Sequence, residues 1–170
     1  MYAKLFARDA AIVGAIALLW SLGARASAGS GPIADFTGVL LGTLLGACSL
    51  ILHEWGHFAG ALATRSAMSP AASLKSVFSF SFDSKRNSQR SFLAMTAGGW
   101  VGTAVSVAVA YAALPPELLA TRVARGMALV SVALVVVTEI PLVASALWTG
   151  RIPRVETRRE QPPEAERAAA

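Results

Sequence analysis

Apolar residues fall along this chain in four long blocks, 10–23, 36–64, 92–114 and 124–149, separated by short polar or glycine- and proline-containing stretches. Three of the blocks reach the roughly 20 residues that an α-helix needs to cross a hydrocarbon core at 1.5 Å per residue. The first is shorter. Lys4 and Arg8 precede it, and Ala24-Arg25-Ala26 or Ala26-Ser27-Ala28 follows it. Residues 1–28 therefore read either as a retained helix, the preferred reading, or as a cleaved signal peptide. In both cases the next helix enters from outside. The second block carries Gly38, Gly42 and Gly46, and the third Gly98 and Gly102. Small residues at four-residue spacing let a neighbouring helix approach closely in lipid. Pro115-Pro116 closes the third block, and the fourth contains Glu139 just before Pro141. Between the second and third blocks, Val77-Phe78-Ser79-Phe80-Ser81-Phe82 alternates strictly and predicts a strand with Phe78, Phe80 and Phe82 on one face. Asp83–Ser88 reads as a turn. The expected fold is an all-α integral membrane bundle of about four transmembrane helices, with a short cytoplasmic β-hairpin or strand between helices 2 and 3. Residues 1–150 form the membrane domain, and 151–170, rich in Arg, Glu and Pro, form a disordered cytoplasmic tail.

Composition supports the pattern. The chain of 170 residues is 55% hydrophobic and 15% charged, with a mean hydropathy of +0.56. A soluble domain of this size needs roughly a quarter of its residues charged. A soluble enzyme and a disordered regulator are thereby excluded, and a single cysteine excludes a disulfide scaffold. The net charge of +5 is a topology signal rather than a nucleic-acid footprint. Twelve of the fifteen Lys and Arg residues lie in the N-terminus, the 65–91 loop and the tail, which alternating spans place on one side. Arg25, Arg122 and Arg125 lie on the other. Positive charge stays inside. Both termini and the 65–91 loop are expected to be cytoplasmic, in a multi-pass protein of the plasma (inner) membrane.

His53-Glu54-Trp55-Gly56-His57 carries the chemistry, and it contains the protein's two histidines. On a helix, residues i and i+4 share a face, so both imidazoles reach one tetrahedral Zn²⁺. The glutamate beside the first histidine is then placed to act as general base. Chance produces this spacing in well under roughly 1% of chains of this length. It also lies within an apolar span, where each ionisable group costs about 2–3 kcal/mol or more.

With this motif the sequence resembles the site-2 protease family of intramembrane zinc metalloproteases, which carry HExxH on a transmembrane helix, typically with glycine before the second histidine, as Gly56 is here. The resemblance implies that His53 and His57 bind zinc and that Glu54 is the catalytic base. Ala97-Gly98-Gly99-Trp100-Val101-Gly102 is similar to a second family segment, with Gly99 at its proline position and Gly102 at its usual asparagine. The resemblance covers roughly residues 36–150. The family's third ligand is usually an aspartate in a leucine-aspartate-glycine string. Here the nearest match, Leu147-Trp148-Thr149-Gly150, has tryptophan at that position.

Glu139 offers a substitute. It is the one acidic residue of the fourth block, and carboxylate oxygen is a normal zinc ligand. Helices 2 and 4 run in the same direction, and His53 lies 11 residues before Thr64 while Glu139 lies 10 before Thr149. Their depths match to about one 1.5 Å step. Pro141 loosens the local ladder and lets the side chain turn inward. The alternative is a protonated Glu139 that hydrogen-bonds a neighbouring helix, and Thr138 or Ser145 could equally orient a ligand. Asp83 sits in a basic turn, Cys48 lies off the histidine face, and Asp35 reads as a cap for helix 2. The expected activity is a zinc-dependent metalloendopeptidase acting on membrane-embedded or juxtamembrane segments of a membrane protein or peptide, with Phe78, Phe80 and Phe82 contacting the substrate. The alternatives are a non-catalytic metal-binding or helix-binding relative, and a small metal or ion transporter.

Overall fold

The structure, a computed structural model, describes residues 1–153. The predicted disordered tail lies outside the described residues beyond position 153. Helix α1 spans Tyr2–Gly23 and leads through a 3₁₀ turn, Ala24–Ala28, into α2, Pro32–Ala63. Strands β1 (Met68–Pro70) and β2 (Phe80–Phe82) follow, then α3 (Gln89–Ala112), α4 (Leu119–Leu134), a π turn (Val135–Glu139) and α5 (Ile140–Thr149). Four helical stretches are long and apolar enough to cross a membrane: Tyr2–Ala28, Pro32–Ala63, Gln89–Ala112 and Leu119–Thr149.

Each span except the last ends differently from its apolar block. Helix α1 begins at Tyr2 rather than 10, because Lys4, Arg8 and Asp9 are compatible with helical hydrogen bonding even though they interrupt hydropathy. Gly31, at φ +104°, makes the turn that no other residue makes easily, and Pro32 starts α2 with φ already set. Asp35 lies in the first turn of α2 rather than at its cap, which is Gly31. Ser88 caps α3 by accepting from the Ser91 backbone N–H at 3.2 Å. Pro141 has no N–H to donate to the Val137 carbonyl, and its ring would clash there. The π turn immediately before it absorbs the misfit. Gly150, in the left-handed region at φ +66°, closes α5 by donating to the Ala146 carbonyl.

Helix α2 is central, packing against α1, α3 and α4. Its glycines divide the work. A Cβ on Gly38, Gly42 or Gly46 would strike Leu119, Val123 or Met127 of α4, whereas one on Gly56 or Gly60 would strike the α3 backbone at Gly98 or Ala94. Gly98 and Gly102 return the contact from α3, against Gly56 and Leu52. A buried hydrogen bond of 2.7 Å between the Ser49 and Ser131 hydroxyls adds a polar tie between α2 and α4.

The strands pair antiparallel, Met68 opposite Phe82 and Pro70 opposite Phe80. The strand is thus three residues long, not the 77–82 predicted from alternation. Its partner stops at Pro70, which has no N–H for the ladder, and the last bond beyond it runs from the Ala71 N–H to the Ser79 carbonyl. Phe80 and Phe82 join Ala61, Phe92, Met95 and Ala146 in an apolar core under the hairpin.

Candidate metal centre

Three side chains from two helices converge. The Nε2 atoms of His53 and His57 lie 2.8 Å apart, and Glu139 Oε1 lies 2.7 Å from the first and 3.4 Å from the second. Among the described residues this is the one group of three His, Cys, Asp or Glu placed to hold a metal ion. Donor atoms around a tetrahedral zinc lie about 3.3 Å apart, given ligand bonds of about 2.0–2.1 Å. The three separations bracket that value. The side chains are 13–15% exposed, so the group opens onto a cavity rather than being sealed.

The hydrogen bonds behind the imidazoles decide what this convergence needs. His53 Nδ1 lies 3.0 Å from the Gly99 carbonyl and 2.8 Å from the Thr103 hydroxyl, and His57 Nδ1 lies 3.0 Å from the Met95 carbonyl. A carbonyl only accepts, so each Nδ1 carries the proton and donates. In the neutral ring Nε2 is then left with its lone pair. Two lone pairs and a carboxylate oxygen facing one another repel unless a proton or a metal ion sits among them. The donor set could hold a metal ion, and the backing carbonyls are the outer shell that metal-ligating histidines ordinarily use.

Each part has a local cause. His53 and His57 sit one turn apart on α2. The rings reach α3 because Gly99 has no side chain: a Cβ there would overlap the His57 imidazole. Glu139 is the last residue of the π turn, and its second oxygen, Oε2, accepts a 2.8 Å hydrogen bond from Trp100 Nε1. That bond leaves Oε1 to face the imidazoles. Glu54 stands outside the ligand group but lines the same cavity, of about 480 Å³.

The structure therefore brings His53, His57 and Glu139 together and places Glu54 beside them. Phe78, Phe80 and Phe82 also line the cavity, Phe80 and Phe82 buried in its wall and Phe78 half exposed. Asp83 does not join, since its carboxylate caps its own turn at the N–H groups of Lys85 and Arg86. Cys48 is buried away from the group. Trp148, at the position where the resembled family has aspartate, is 93% exposed. Sequence reasoning missed Trp100, Thr103, and the Arg8–Asp9 pair described below. A signal for Trp100 existed, because a tryptophan in mid-span rather than at the interface must find a partner for its N–H. No protein-family model, curated protein or solved structure matches this chain.

Proposed function

We propose that this protein is a zinc-dependent intramembrane peptidase of the site-2 protease type, in which Glu139 replaces the family's usual aspartate ligand. The observation that carries the reading is the convergence of His53 Nε2, His57 Nε2 and Glu139 Oε1 beside a second carboxyl group, Glu54, in an apolar cavity. Zinc, when bound, supplies Lewis-acid polarisation of a carbonyl and of water. His53, His57 and Glu139 would hold it. Glu54 takes a proton from the attacking water as the new C–O bond forms, and delivers it to the amine nitrogen as the C–N bond breaks.

The cavity selects the substrate by polarity. Its wall is largely apolar, with Leu50, Phe92, Met95, Leu134 and Leu142 around the polar centre. A helical peptide bond is shielded by its own hydrogen bonds, so the segment cleaved is an unwound one. The ladder bonds Ala71 N–H to Ser79 O and Asp83 N–H to Ala67 O put the odd-numbered residues of β2 toward β1. The backbone groups of Phe80 and Phe82 consequently face the open edge, where an extended substrate adds as a strand. The charge distribution supports a multi-pass topology in the plasma (inner) membrane with the hairpin and both termini cytoplasmic.

Dye-labelled casein, a chain with little fixed structure, tests the activity in detergent. Wild type should cleave it. Glu54→Gln should lose on the order of 10²–10⁴-fold in rate while retaining its zinc. Equal cleavage by both proteins would remove Glu54 from the mechanism. Zinc binding without cleavage by either would leave a metal-binding relative.

A further inference from the structure

The first helix carries an ion pair that the metal centre does not use. Asp9 is 2% exposed, and its Oδ1 receives the Arg8 guanidinium at 2.6 and 2.7 Å. Its other oxygen, Oδ2, faces away from α1. It accepts from Trp55 Nε1 at 3.1 Å, within the HEWGH turn, and from the Ser79 hydroxyl at 3.4 Å. Arg8 in turn donates to the carbonyls of Leu74 and Ser76, both at 2.7 Å. Two adjacent residues of α1 thus hold three points of the 74–79 segment and one point of α2. An aromatic file runs alongside, with Phe6 edge-on to Trp55 and Phe58 and then Phe58 edge-on to Phe80.

We infer that Arg8 and Asp9 are positioning residues: through them α1 fixes the 74–79 segment, and so sets the cavity wall at Phe80–Phe82 beside Glu54. The arithmetic of polar groups favours this. A carboxylate as buried as Asp9 is costly unless both its oxygens are used. Every hydrogen bond that Arg8 and Asp9 make beyond their own pairing goes to the element that walls the cavity or to the metal-motif helix. Segment 74–79 has no ladder of its own, being bends and turns between the strands. Apart from the clamp, its backbone is held by the local bonds of Lys75 and Ser76 to Ser73 and by the Ala71 N–H at Ser79 O, none of which ties residues 74–76 to a helix. Helix α1 is accordingly a working part of the site, and its loss as a cleaved signal would unfasten the wall. The positioning role rests on the peptidase reading, but the clamp itself does not.

Trypsin reads the clamp without any turnover. Lys75 is exposed and lies between the two carbonyls that Arg8 holds, whereas Lys85 lies in the following turn, outside the clamp. Purified protein in detergent is digested and cleavage after each lysine is timed by mass spectrometry, with zinc content measured on the same samples. Arg8→Ala should speed cleavage after Lys75 on the order of a hundredfold and leave Lys85 within about twofold, because local opening exposes only the clamped segment. Arg8→Lys, which returns one charge to Asp9, should recover part of the protection. Trp55→Phe and Ser79→Ala each delete one donor to Asp9 and keep the ion pair, so they test the same point if Arg8→Ala fails to fold. Each should speed Lys75 cleavage on the order of tenfold. Zinc content should stay at the wild-type value throughout, and casein cleavage should fall with Lys75 protection. Unchanged Lys75 cleavage would overturn the clamp, as would Lys75 and Lys85 rates rising together, since that is general loosening. Loss of Lys75 protection with unaltered casein cleavage would leave a clamp that positions nothing.

Discussion

At a pH where both imidazoles are neutral, Glu139→Gln should stabilise the metal-free protein while weakening its hold on zinc, a pair of opposite signs that follows from the hydrogen bonds at the site. In the native chain Oε2 accepts from Trp100, and Oε1 meets two imidazole nitrogens whose protons are on the far side of their rings. In glutamine the amide oxygen keeps the Trp100 N–H, and the amide nitrogen turns to the imidazoles and donates. An acceptor-only contact becomes a hydrogen bond, contributing about 1 kcal/mol. Removing a carboxylate charge from an apolar span adds to this. A gain of that size raises the melting temperature of the metal-free protein by about 2–4 °C.

The zinc side moves the other way. Structural zinc sites bind with about 10–16 kcal/mol over four ligands, so one ligand is worth about 3 kcal/mol, on the order of 100-fold in Kd. At free zinc 100 times its Kd, wild type gains about 2.7 kcal/mol of stability, whereas a variant binding 100-fold more weakly gains about 0.4 kcal/mol. Thermal unfolding in detergent, with chelator and then with buffered zinc, measures both signs in one protein. Asp83→Asn is the control, because that carboxylate serves only its own turn. A variant that melts lower than wild type without metal, or that keeps the full zinc-dependent rise, would refute the assignment of Glu139 and the tautomer argument together.

Three further outcomes are expected. Trp100→Phe, which deletes only the hydrogen bond to Glu139 Oε2, should weaken zinc binding about 10–100-fold by equilibrium titration, while Trp148→Phe on the exposed face leaves it unchanged. Gly99→Ala should destabilise the fold by about 1–3 kcal/mol in thermal unfolding and displace His57, whereas Gly126→Ala, with nothing within 4 Å of its Cβ, should be neutral or slightly stabilising. Reporter fusions after Ala170 or near Lys85 should read cytoplasmic and one near Ser30 external, and an external Lys85 would invert the proposed orientation.

What the sequence made legible depended on distance along the chain. HEWGH is contiguous, so helical geometry alone puts both imidazoles on one face. Glu139 lies 86 positions after His53, but depth in a membrane is a ruler that separate helices share, and counting from the span ends placed the two together. Alternation is a weaker guide. Val77–Phe82 has the strand period, yet a strand also needs a partner, and β1 ends at Pro70 while Arg8 draws the Leu74 and Ser76 carbonyls elsewhere. Hydropathy likewise found where α1 turns apolar and not where its hydrogen bonding begins. A mid-span Trp100 signals that its N–H needs a partner, but which side chain from another helix it meets, for Trp100 as for Asp9, is not written in the local sequence.

The glycines connect the fold to the chemistry. Gly56, Gly60, Gly98 and Gly102 bring α2 and α3 into backbone contact, at points where any Cβ would collide. At that separation an imidazole rooted on α2 spans the gap and meets a carbonyl of α3. Met95 O and Gly99 O already accept within their own helix, but a carbonyl has a second lone pair, and this is what receives the histidine N–H. The donor must be Nδ1, so the proton is fixed there and the lone pair is fixed at Nε2, facing the helix that carries Glu139. Spacing between helices thus sets the protonation pattern, and that pattern makes a cation the natural occupant. A larger residue in place of one of these glycines would act on metal affinity without touching a ligand. It would part the helices, free the imidazoles from their carbonyls, and let Nε2 take the proton that Nδ1 now holds.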